Sequence, residues 1–307
     1  MRFSDALEGF WLAKRRGYSP HTVTDYSNTF NRFQRFVGDA DVAGLVADDV
    51  RRFLDAMQTR YELSNKTLCN YWTALSAFWT WAEMELNISH VIRGRVERPA
   101  YQRRRVEPYR VEEVQAMLAA APKGEPWRTP TGKLARGKRP TADRDRAIII
   151  TLVDTGLRAS ELCALRVEDY DRERGSLYVE RGKGDKERTV YVGESAKKAI
   201  WRYLLGRRGA GTKEPLFATA TLRTLDRNNL RQMLQRIGTR AGVRAVTVHR
   251  FRHTYAITFL RNGGNPLVLQ ELLGHEKLDT VRRYVALAQV DLESAQRASS
   301  PADGWDL

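Results

Sequence analysis

Six side chains stand where secondary structure alone does not ask for them. Arg158 follows Thr155-Gly156-Leu157 at a helix start. An arginine there meets the positive end of the helix dipole, and both would suit a bound anion. Lys183 sits between two glycines at a hairpin tip, a place where an ordinary turn lysine is the plain alternative. His249 and Arg252 are three apart on a predicted helix and so share a face. His253, the next residue, is expected to point elsewhere. His275 follows Leu272-Leu273-Gly274 at a helix end, and Tyr284 comes nine residues later in an Arg-Arg-Tyr run. Taken singly, each is more often structural than chemical. Three of the five histidines fall between 249 and 275, which favours chemistry in that stretch. There is no P-loop, no G-x-S-x-G elbow, no zinc-spaced cluster and no D-x-D series, so the chemistry rests on side chains, with no metal and no cofactor.

The elements that must carry these residues are mostly helices. The 307 residues allow two domains, and a formal net charge of +15 points to a polyanionic partner. The basic residues are spread along the chain, which favours nucleic acid over a membrane surface. Cys69 and Cys163 form no C-x-x-C pair and read as small buried thiols in a reducing cytoplasm. The N-terminal segment lacks the apolar core of a signal peptide, and no apolar run is long enough to span a bilayer.

Four amphipathic helices are predicted first. Phe3, Leu7 and Phe10 mark one. A second starts at Ser19-Pro20, buries Val23, Tyr26, Phe30, Phe33 and Val37, and ends at Gly38. A third from Asp48 buries Val50, Phe53, Leu54 and Met57. A fourth from Ser64 carries Leu68, Tyr71, Leu75, Phe78, Ala82 and Leu86. The expected division is a helical domain over residues 1–87, a basic linker over 88–110 and a second domain over 111–307. In the linker the helical period fails and arginines crowd, Arg103, Arg104 and Arg105 among them. Such a run can neutralise DNA phosphates, or serve as a solvated spacer. In the second domain helices dominate. Residues 122–141 read as an exposed basic loop, and residues 176–180 and 187–192 as an antiparallel hairpin.

These residues resemble those of the tyrosine recombinases and integrases. TGLRASELCALRVEDYD is similar to that family's first box, GKGDKERTVYV to its β-hairpin with a lysine, HRFRHTYA to its H-x-x-R box and LLGHEKLDTVRRY to its final His…Tyr box. All four come in the family's order and spacing. The helical first part is similar to its core-binding domain, so the resemblance covers nearly the whole chain. It implies a mainly α fold with a small antiparallel sheet: a four-helix core-binding domain and an α+β catalytic domain.

The implied roles follow. Arg158 and Arg252 would hold the scissile phosphate, and Lys183 would protonate the leaving 5′ oxygen. His249 would act as base, and His275 as a second phosphate donor. Tyr284 would form a 3′-phosphotyrosyl link, so that no ATP and no catalytic metal are needed. Glu161 matches an acidic position that supports the first arginine, beside the plainer alternative of a solvated helix glutamate. His253 matches a residue common in the family and structural there. Tyr170, Tyr191 and Tyr255 are competing phenols outside the nucleophile's place. The Val-Arg-Arg-Tyr run departs from the frequent Thr-Thr-x-x-Tyr.

The layout resembles the simple two-domain Xer-type recombinases, with no arm-binding domain ahead of the core-binding one. The implied partner is double-stranded DNA with specific sites, held by a homotetramer or by a tetramer with a related recombinase. The N-terminal helices are expected to close on the duplex opposite the catalytic domain, and residues 290–297 to form a helix exchanged between subunits. Two alternatives stand beside this reading: a type IB topoisomerase-like relaxing enzyme, and a non-catalytic DNA-binding protein on the same scaffold. The target sequence and the direction of recombination are not legible.

Overall fold

The computed structural model describes residues 1–102, 106–128, 134–180, 187–207, 209–274 and 278–288. The chain divides into two compact units, Met1–Arg104 and Arg105–Leu307.

The first unit is built on α1 (Phe3–Lys14), α2 (Pro20–Val37), α3 (Ala47–Thr59) and α4 (Asn65–Glu85). Ser19 and Ser64 cap α2 and α4, their side chains accepting from Thr22 N (3.2 Å) and Thr67 N (3.3 Å). Each offsets one of the donors a helix start leaves unpaired. The core is aromatic: Phe3, Phe10, Phe30, Phe33, Phe53, Phe78 and Trp79 are fully buried. Their rings meet mostly edge to face, as between Phe33 and Trp79 at 5.7 Å, the arrangement ring quadrupoles favour. Helix α4 packs against the other three. It therefore buries Ala74, Trp79 and Trp81 besides the expected stripe of Leu68, Leu75, Phe78 and Ala82.

The loss of helical period after residue 86 does not leave a free spacer. Val91, Ile92 and Val96 join the same core. Trp72 Nε1 donates to Val96 O (3.1 Å), and the Arg98 guanidinium lies over the Trp72 ring. Asn65 Nδ2 donates to Ala100 O at 2.9 Å. Irregular backbone carries no period, so this packing is silent in the hydrophobic pattern. Arg103, Arg104 and Arg105 lie outside the described residues.

The second unit runs α5 (Val111–Ala120), β1 (Lys123–Arg128), β2 (Leu134–Lys138), α6 (Ala142–Thr155), α7 (Ala159–Ala164), β3 (Tyr170–Asp171), β4 (Ser176–Val179), β5 (Arg188–Tyr191), α8 (Glu194–Leu205), α9 (Arg227–Ala241), α10 (Val248–Arg261), α11 (Pro266–Leu273) and α12 (Leu278–Ala288). The sheet is antiparallel in the order β3-β4-β5, with Leu177 opposite Val190. Leu177, Val179 and Val190 face the core with Ile148, Ile149 and Leu152 of α6. A smaller core joins Ala256, Ile257 and Leu260 of α10 to Leu269, Leu273, Val281 and Tyr284.

Residues 122–141 correct the sequence reading. They are not simply a loop: β1 and β2 pair antiparallel, Trp127 opposite Ala135, with an irregular register between Lys123 and Pro126. Gly and Pro are frequent there and no apolar alternation marks the strands, so the hydrophobic pattern does not reveal the backbone pairing of this ribbon. At its exit Arg139 reaches the wholly buried Asp145 (3.2 Å), which also binds Arg144. Among the described residues no helix is long and apolar enough to cross a membrane.

Candidate active site

Four chain segments meet at the C-terminal end of α11. A helix end leaves carbonyls without intrahelical donors and carries partial negative charge. Here three arginines supply the donors. Arg188 Nε donates to Leu272 O (2.8 Å), Arg252 Nη2 to Leu273 O (2.6 Å) and Arg158 Nη2 to Gly274 O (3.1 Å). Arg252 also donates through Nη1 to Gly156 O (2.9 Å), at the end of α6. Gly156 and Gly274 close their helices in the left-handed conformation. A Cβ on Gly156 would stand 2.6 Å from the Tyr255 ring, so only glycine fits there.

Glu161 ties two of these guanidiniums together. Its Oε2 accepts from Arg158 N (2.8 Å) at the start of α7, and its Oε1 from Arg158 Nη1 (2.7 Å). Arg188 forks onto both oxygens at 2.9 Å. The carboxylate side chain is 1% exposed, so the solvated-glutamate alternative is wrong. Burial pushes its carboxyl up, but the bonds and charge of Arg188, with the bonds from Arg158, outweigh this and hold it at about 2. The oddity of an arginine at a helix start is thereby resolved: the glutamate one turn in offsets it.

Arg252 is 4% exposed. Burial, then the neighbouring Arg158 charge, lowers its guanidinium to about 10, still cationic at neutral pH. Tyr284, on α12, is also 4% exposed. Burial raises its phenol, and the charges of Arg252, Arg283 and Arg158 partly oppose this. The phenol is therefore protonated at neutral pH.

His249 and His253 correct a geometric expectation. Four residues apart on α10, they lie on one face, and their Nε2 atoms are 2.9 Å apart. The His253 ring stands edge-on to Tyr284 at 5.1 Å. One Nε2 must donate and the other accept. His253 Nδ1 is buried with no hydrogen-bond partner among the described residues. A bare lone pair is the cheaper state for it, which makes His253 the donor and His249 the acceptor.

Burial, then the charges of His249, Arg283 and Arg252, lower His253 to about 4 from an ordinary 6.5. The unfolded chain thus takes up this proton first, and stability falls as pH drops from about 6.5 towards about 4. His253→Gln is expected to flatten that limb in urea-unfolding midpoints measured across it. Because burial and Arg252 lower His249 as well, part of the slope remains. An unchanged limb would show that His253 is not among the groups that titrate there.

Of the residues singled out from sequence, Arg158, Glu161, His249, Arg252 and Tyr284 are brought together. Lys183 and His275 lie outside the described residues. Of the competing phenols, Tyr191 is 64% exposed and outside this cluster. Tyr170 has its hydroxyl buried without a partner among the described residues, and Tyr255 packs on Gly156. Sequence reasoning missed Arg188. Its signal was the period of two: Arg188 shares a strand face with the buried Val190, and an arginine on a buried face requires a buried anion.

The chain matches the model of the phage integrase family over residues 110–290 and that of the phage integrase N-terminal SAM-like domain over residues 7–86. It is 32% identical to a tyrosine recombinase XerC of Mycobacterium sp. (strain JLS), over 97% of this chain and 98% of that one. It is 31% identical to tyrosine recombinase XerA of Thermococcus kodakarensis, over 91% and 89%. Its fold is similar to that of a lambda integrase dimer bound to a COC' core site, with TM-score 0.73, 17% identity, and coverage of 92% and 77%. A XerH site-specific recombinase bound to palindromic difH substrate has TM-score 0.68, 21% identity, and coverage of 96% and 83%. The chain belongs to the phage integrase family, the tyrosine recombinases.

Proposed function

We propose that this protein is a site-specific DNA recombinase that cleaves and rejoins DNA through Tyr284. The observation that carries this is the convergence of two phosphate-seeking guanidiniums, a histidine pair and a protonated phenol in one cluster. Arg158 and Arg252 hydrogen-bond adjacent carbonyls at one helix end, and both charges bear on the Tyr284 hydroxyl. The phenol oxygen attacks the scissile phosphorus as its proton passes to His249, and the Tyr284–phosphorus bond forms. The bond from phosphorus to the 5′ oxygen breaks, and Lys183 supplies the proton that oxygen takes. Arg158, Arg252 and His275 stabilise the charge that accumulates on the non-bridging oxygens. A free 5′ hydroxyl from a second site reverses these steps and completes the exchange, the bond energy being stored in the phosphotyrosyl ester.

Two adjustments are required. Tyr284 is covered in this state, so α12 or the ring must turn out to reach DNA. The His249 lone pair is engaged by His253, so that bond opens or reverses when the phenol proton moves.

The first unit offers further DNA-binding surface. A groove of about 820 Å³ between α2 and α4 is lined by Arg32, Arg35, Arg98, Asn28, Asn31 and Asn70, donors suited to phosphates and base edges. The working assembly is a tetramer on two DNA sites, and the setting is the cytoplasm, where such DNA is found.

The test is covalent trapping. The protein is mixed with fragmented DNA of its own replicon and denatured with detergent, and protein-linked ends are sequenced. Adducts on 3′ phosphates at one defined sequence are expected. DNA binding without adducts would leave a non-catalytic binding protein, and adducts with relaxation but no strand exchange between two labelled duplexes would leave a topoisomerase-like enzyme.

A further inference from the structure

Arg188 is more deeply engaged than Arg158. Its side chain is 9% exposed against 26% for Arg158. Each of its three nitrogens is bonded within the protein, to Leu272 O and to both oxygens of Glu161. It is not placed to grip a phosphate itself.

Charge explains what it does. Arg158 and Glu161 alone would neutralise each other, and the carboxylate would be free to fork onto Arg158 with both oxygens. Arg188 takes up both of those oxygens from the other side, leaving Arg158 one side-chain contact to Glu161 and one to Gly274 O. With Arg188 present, three guanidiniums and one carboxylate leave two net positive charges. A phosphodiester carries one negative charge, and its pentacoordinate transition state carries two, so the cluster matches the transition state better than the substrate. Gly274 makes room for this contact: a Cβ there would stand 3.2 Å from Arg188 Nη1.

We infer that Arg188 is a positioning residue for strand cleavage, which offsets Glu161 so that Arg158 keeps its charge and its reach for the scissile phosphate. This rests on the recombinase reading above.

The test uses the full-length protein and the duplex recovered by trapping, carrying either a natural phosphate or an uncharged methylphosphonate at the cleavage position. Arg188→Gln is expected to slow adduct formation about 100-fold or more on the phosphate. On the methylphosphonate, whose transition state carries one charge less, the loss should be at most about tenfold. Arg188→Gln with Glu161→Gln removes the charge and its counter-charge together and should return to within about tenfold of the unaltered protein on the phosphate. Should Arg188→Gln fail to fold, the double variant, which leaves no unpaired buried charge, is read alone. A single variant within about threefold of the unaltered protein, an equal loss on both substrates, or a double variant with no recovery would overturn the inference. Failure of the unaltered protein to form adducts would instead count against the recombinase reading itself.

Discussion

Tyr284→Phe is expected to form no covalent DNA adduct while binding DNA as well as the unaltered protein. The substitution removes one oxygen and leaves the ring. That ring sits among Ala256, Ile257, Leu260, Leu269 and Leu273, so the α10–α12 packing survives, and the lost hydroxyl costs about 0.5–1.5 kcal/mol of stability at most. The chemical loss is of another order. With Tyr284 as the proposed nucleophile, its loss leaves no phosphotyrosyl ester, and cleavage is expected to fall by about 10⁴-fold or more, as when other covalent enzymes lose theirs. Gel-resolved adduct yield and thermal unfolding, measured on one preparation, separate the two effects. Adducts at the unaltered level would dismiss Tyr284. Tyr255 would then be a poor substitute, since burial pushes its phenol up to about 12, and the exposed Tyr191 would be examined first.

Arg252→Gln is expected to damage both folding and cleavage, for separable reasons. Arg252 joins the ends of α6 and α11 through Gly156 O and Leu273 O. Losing the group that satisfies carbonyls at two helix ends costs about 1–3 kcal/mol for each carbonyl left unpaired. In the proposed reaction it is a preorganised donor aimed at developing phosphate charge, and losing one such donor is expected to slow chemistry about 10²–10³-fold. Arg252→Lys retains a cation but not the planar fork, so it cannot hold both carbonyls and a phosphate together. It is expected to recover stability more than rate. Urea midpoints and adduct rates, taken at a temperature where each variant is folded, measure the two. A variant that is destabilised yet cleaves at the unaltered rate would reduce Arg252 to a structural tie.

Much of this site is legible in the sequence. The helix boundaries follow from serine caps and apolar periods: α2 begins after Ser19 and α10 spans Val248–Arg261, as the pattern requires. The hairpin of β4 and β5 follows from alternation. The basic excess and the Arg158, Arg252 and Tyr284 boxes point to chemistry on phosphate. These are local properties, because a cap, a period or a box is complete within about a dozen residues.

The tertiary structure alone decided the partners. Arg158 and Gly274 are 116 residues apart, Arg252 and Gly156 are 96 apart, and Arg188 and Leu272 are 84 apart. The buried state of Glu161 and the packing of residues 91–96 on α4 belong with them. Periodicity reports which face of one element is buried, not which carbonyl or carboxylate another element delivers to it. A buried guanidinium must find acceptors somewhere, and only the folded chain determines that the end of α11 provides them.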